Sequence, residues 1–154
     1  MKKSGALLLL LLSWALLTAE TRQLISFTEL MAALNNGELV RVVIHYGQCQ
    51  LISGNEEKQA PDAIGGMTID VYEYFAPLSI GNQLACVIFS HSSLINYGGF
   101  IYDYVKFRIY ENGEVKVTAQ YASTEDFSLE MDENFFTVLN DGNNDGALYL
   151  YKIK

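Results

Sequence analysis

The segment from Phe100 to Ala122 constrains this chain most, because its alternation fits two facing strands and little else. Val105, Phe107 and Ile109 interleave with Tyr102, Tyr104, Lys106, Arg108 and Tyr110, the period of a strand with one buried face. A second alternating run, Glu114 to Ala122, follows Glu111-Asn112-Gly113. A two-residue Asn-Gly turn would set Ile109 opposite Lys116, apolar face against polar face. A three-residue loop with a left-handed Gly113 instead sets Ile109 opposite Val115, Phe107 opposite Val117 and Val105 opposite Ala119. The burial pattern selects this second register.

The rest of the chain reads around that hairpin. Ser26 and Glu29 have capping-box spacing, and Phe27, Leu30, Met31 and Leu34 then form one helical stripe. Gly37 suits the left-handed residue that ends a helix, so a helix is expected over about 27–35. Val40, Val42, Ile44 and Tyr46 then alternate with Leu39, Arg41, Val43 and His45. Further strands are expected over 48–53, 67–75, 84–90, 126–131, 135–139 and 147–153, with loops over 54–62, 92–99 and 140–146. Gly65-Gly66, inside apolar sequence, predicts a bulge or a close backbone approach. The expected fold is mainly β: one N-terminal helix packed on a curved antiparallel sheet of about eight or nine strands, barrel-like or a sandwich.

Residues 1–19 are set aside from this fold as a signal peptide. Lys2 and Lys3 precede an apolar run containing six leucines, Leu7 to Leu12, and Thr18-Ala19 offers small residues for cleavage. The run is shorter than the roughly 20 residues of a membrane span. Residues 20–154 then form one β-rich domain, secreted and not membrane-bound. Loss of the two lysines leaves eight basic against eighteen acidic residues, which repels nucleic acid. In an exported chain the two cysteines, Cys49 and Cys86, are expected to form a disulfide.

Motifs for chemistry are sparse. Asp141-Gly142-Asn143-Asn144-Asp145-Gly146 resembles the opening of a calcium loop, with Asp141, Asn143 and Asp145 as oxygen donors. Lys152 stands where the bidentate glutamate belongs, so a hairpin loop is the simpler reading. His45, Cys49, Cys86 and His91 include the residue types of a zinc site, but Cys86 and His91 would point to opposite faces of one strand. Ser90-His91-Ser92-Ser93 holds residue types of a hydrolase without a Gly-x-Ser-x-Gly elbow. No cofactor fingerprint is present. Tyr102, Tyr104 and Tyr110, sharing a face with Lys106 and Arg108, could instead meet an amphiphilic ligand.

Phe27-Thr28-Glu29-Leu30, then Leu34, Gly37, Val40-Arg41-Val42 and Cys49, resemble the exported VirK-like proteins. Ala63-Ile64-Gly65-Gly66-Met67, Tyr104-Val105-Lys106 and Asn140-Asp141-Gly142 continue the likeness. The resemblance implies export, single-domain size and importance for Cys49; it carries no catalytic residues. The leading expectation is a secreted, non-enzymatic binding protein, without a cofactor, for a small apolar or amphiphilic molecule. Tyr102, Tyr104, Tyr110, Phe107, Val105 and Met67 are the candidate contacts. A secreted hydrolase using His45 or His91, and an extracellular protein-interaction or defence/virulence-associated role, are the alternatives.

Overall fold

The computed structural model describes residues 21–153. The expected leader and its cleavage site lie outside these residues. The helix, α1 (Phe27–Asn35), forms as its sequence demands. The Ser26 hydroxyl accepts the Glu29 N–H at 3.2 Å, while Glu29 Oε2 accepts from Ile25 N–H at 2.9 Å, one residue earlier than in a standard capping box. At the other end Glu38 N–H donates to Ala33 and Gly37 N–H to Leu34, with Gly37 at φ +69°: a Schellman motif. Ser26→Ala is expected to lower stability by about 1 kcal/mol in chemical denaturation.

The described residues also form eleven strands: β1 (Arg22–Leu24), β2 (Leu39–His45), β3 (Gln50–Ser53), β4 (Glu56–Lys58), β5 (Ile64–Thr68), β6 (Glu73–Phe75), β7 (Cys86–Asn96), β8 (Phe100–Tyr110), β9 (Glu114–Ser123), β10 (Leu129–Val138) and β11 (Leu148–Ile153). They form two antiparallel sheets, β1-β11-β2-β5 and β4-β3-β10-β9-β8-β7-β6. Each sheet has two free edges, so the barrel alternative is corrected to a sandwich, and the strand count rises to eleven. Val40, Val42, Ile44, Leu148 and Leu150 of the small sheet pack on Val87, Phe107, Ile109, Val115 and Val117 of the large one. Leu30 and Leu34 of α1 join the same core.

The β8–β9 hairpin has the expected register. Ile109 faces Val115, Phe107 faces Val117 and Val105 faces Ala119, with Gly113 at φ +85°. Other boundaries differ for identifiable reasons. Gly54 and Asn55 both have positive φ, a type I′ turn that pairs β3 with β4 where a loop was expected. The strand expected over 67–75 is broken, because the chain leaves the small sheet after β5 and joins the large one at β6. Val71 is accordingly 76% exposed rather than facing a core. The expected strand over 84–90 runs on to Asn96, and those over 126–131 and 135–139 merge into β10. Gly65-Gly66 is a close approach: a Cβ on Gly65 would lie 2.8 Å from the Tyr46 ring, and one on Gly66 2.6 Å from the Val42 carbonyl oxygen.

Cys49 and Cys86 are free, which corrects the expected disulfide. Cys49 immediately precedes β3 and Cys86 begins β7, with β10, β9 and β8 between those strands. Strands lie about 4.8 Å apart, whereas bridged Cα atoms must approach within about 7 Å.

Candidate functional site

The long strands of the large sheet decide where space is left. Directly paired residues share a face, so His91, Val105, Ala119 and Glu133 form one inward row. Ser93, Asp103, Tyr121 and Met131 form the next. Deeper rows hold Phe89, Phe107, Val117 and Phe135, all buried against the small sheet. Strands β7 to β10 have 10 or 11 residues, while the small-sheet strands have 3 to 7. The inner face therefore changes along its strands from apolar and covered to polar and less covered.

A cavity of about 430 Å³ occupies this transition, lined by Met67, Val105, Phe107, Ala119 and Phe135 as its apolar part. Tyr46, His91, Asp103, Tyr121 and Glu133 supply its polar groups. Gly65 leaves room for the Tyr46 ring, which meets Phe135 edge-on at 4.8 Å and so spans from β5 to β10. Tyr121 is tilted against Tyr97 at 5.8 Å. A register shift between Leu129 and Met131 aims Met131 inward beside Tyr121. A larger groove of about 750 Å³, along Phe27, Met31 and Tyr74, is more open and lies on the helix surface.

The polar groups act on one another electrostatically. Burial pushes the Tyr46 phenol up to about 12, with the Asp103 charge adding to it. Burial raises Asp103 as well, and His91 opposes that shift. Tyr121 is raised by burial and then by Asp103. The ion pairs among the described residues, Arg22–Glu29 and Lys152–Glu38, lie away from this cavity. Lys106, Arg108 and Lys116 sit on the opposite face of their strands, paired with Ser90, Ile88 and Phe136.

The VirK protein family matches residues 23–127, more than half of the chain. The chain belongs to the VirK family. Its fold is similar to the crystal structure of lpg1832, a VirK family protein from Legionella pneumophila, with a TM-score of 0.63 and 16% sequence identity. That likeness covers 83% of this chain and 97% of the Legionella chain. Comparison with curated proteins gives no match.

In this VirK family member the six candidate ligand contacts divide. Met67, Val105 and Phe107 meet in the cavity. Tyr102, Tyr104 and Tyr110 lie on the outer face of β8, where Tyr102 stacks on Phe127 at 5.8 Å. The two histidines are also apart. His45 is on β2, edge-on to Tyr149 at 5.4 Å, whereas His91 reaches the cavity. His91, Ser93 and Asp103 share one face, but His91 and Ser93 are two residues apart on one strand, about 6.6 Å. That spacing alone does not make the hydrogen bond an activated serine needs.

The candidate calcium donors sit in a loop organised by its own backbone. Asp141 Oδ1 accepts from Asn143 N–H at 2.8 Å, and Asn144 Oδ1 from Gly146 N–H at 2.9 Å. Among the described residues, no group of three or more His, Cys, Asp or Glu is placed to hold a metal ion. Sequence reasoning missed Tyr46, Asp103, Tyr121 and Glu133. The signal for Asp103 was present: it is the polar member of the row Ile101, Val105, Phe107 and Ile109.

Proposed function

We propose that this protein is an exported, non-catalytic binding protein that holds a small apolar or amphiphilic molecule between its two sheets. The cavity beneath Tyr46 carries this reading: its volume falls in the range of small-molecule sites, its floor is apolar, and Tyr46, Asp103 and Tyr121 act on one another beside it. Family membership is compatible with the reading and assigns no chemistry. Export rests on the basic and apolar order of residues 2–17. Among the described residues, no helix is long and apolar enough to cross a membrane.

The neutral dye Nile red is expected to bind the purified protein with a fluorescence gain, in competition with molecules released on denaturation. Ala119→Trp, which places an indole in the cavity, is expected to weaken dye binding at least about tenfold while keeping the β-sheet circular dichroism. Equal binding by the folded variant would place the dye elsewhere and count against this site. A hydrolase at His91 is the competing reading, favoured by that residue's place beside Asp103. Ester turnover lost in His91→Ala would favour it.

A further inference from the structure

The cavity is one of several concave surfaces with room for a partner, and it combines partial enclosure, an apolar floor and a definite charge pattern. Its ionisable residues are Asp103, Glu133, His91, Tyr46 and Tyr121, with no lysine or arginine among the lining residues. The basic residues of the same strands, Lys106, Arg108 and Lys116, point to the other face. Two carboxylates therefore act on Tyr121 in a largely apolar cavity, with His91 as the basic side chain that lines it.

The surroundings strengthen the effect of those carboxylates. Charges act more strongly where water is partly excluded. Asp103 is partly buried, and that burial disfavours its charged form and raises its titration, against His91. Aromatic faces lie beside it: Tyr121 is directly paired with Asp103, and Tyr46 is close enough to feel its charge. Rings next to carboxylates are the setting in which an alkylammonium group is held, by charge and by the negative ring face together. An anion would instead meet two like charges, and the one basic side chain lining the cavity, His91, already acts on Asp103.

We propose that the cavity binds an organic cation with an apolar body, its ammonium group at Asp103 and Glu133 and its hydrocarbon against Val105, Phe107 and Phe135. This deepens the binding reading above and rests on it. The protonated or quaternary nitrogen supplies the charge, and the hydrocarbon fills the floor. Nothing in the site calls for covalent chemistry.

The test uses three probes with the same eight-carbon chain: octyltrimethylammonium, octanol and octyl sulfate. Each displaces Nile red from the folded protein, below its micelle concentration. The ammonium probe is expected to bind about tenfold tighter than octanol, and octyl sulfate weaker than octanol. In the double variant Asp103→Asn, Glu133→Gln the ammonium preference is expected to vanish while octanol binding stays, which shows the cavity intact. If octanol matches the ammonium probe in the natural protein, or if the preference survives the double substitution, the charge assignment is overturned and the binding reading stands. If none of the probes binds and Nile red does not either, both fall.

Discussion

Phe107→Ala is expected to lower stability by about 3–5 kcal/mol, a large share of what a domain of this size possesses. Phe107 is 2% exposed, stacks on Phe89 at 5.2 Å and sits opposite Val117. Truncation removes apolar burial and leaves a void that a sheet anchored on both sides cannot close. The urea midpoint should fall with little change in slope, since the surface exposed on unfolding is nearly unchanged. Phe107 also lines the cavity, so the void should open into it. Nile red binding by the still-folded fraction should therefore persist or tighten. A loss below about 1 kcal/mol would mean that the two sheets are less tightly packed here than described.

Asn140→Ala should be nearly as costly, although the residue lies in a loop. Asn140 is 7% exposed and its side chain holds four contacts. Its Nδ2 donates to the Gly146 carbonyl at 2.9 Å and the Asn144 carbonyl at 3.3 Å. Its Oδ1 accepts from Gly142 N–H at 3.0 Å and Gln23 Nε2 at 3.3 Å. Removing these leaves the buried Gly146 carbonyl unpaired, at about 1–3 kcal/mol, and breaks three part-buried bonds, for an expected loss of about 3 kcal/mol. Asn140→Asp separates shape from donation. It keeps the acceptor but turns a carboxylate toward two carbonyl oxygens, so it should also destabilise, and less so in acid where the group is protonated. Thermal melts at two pH values check both variants. If alanine costs less than about 1 kcal/mol, Asn144 and Thr137 hold the loop without it.

These positions also show where sequence was informative. The helix bounds were legible because Ser26, Glu29 and Gly37 satisfy or end the backbone locally. The β8–β9 register was legible because a one-residue slip would have turned Phe107 and Val117 to different faces. The neighbours of each strand were not legible, since alternation assigns faces and not partners. So 67–75 reads as one strand, though its two ends belong to different sheets. Ser92 to Asn96 reads as part of a polar loop, yet it pairs residue by residue with Phe100 to Tyr104. The cavity was half legible. Met67, Val105 and Phe107 follow from the inward pattern, whereas Tyr46 and Glu133 enter only because a three-dimensional arrangement brings β2, β5 and β10 together. The disulfide failed for the same reason: compartment chemistry says nothing about which strands are adjacent.

The first strand and the last are hydrogen-bonded neighbours, with Arg22 opposite Lys152, and the last lies between the first and β2. Hairpins β7–β8 and β8–β9 join residues close along the chain and can form as soon as they are made, whereas the small sheet waits for the C-terminal residues. In time, then, the large sheet can assemble first and the centre of the small sheet closes last. Until β11 brings Leu148 and Leu150 into the core, the apolar inner face of the large sheet is incompletely covered, which sets the interval when this polypeptide is most exposed to self-association.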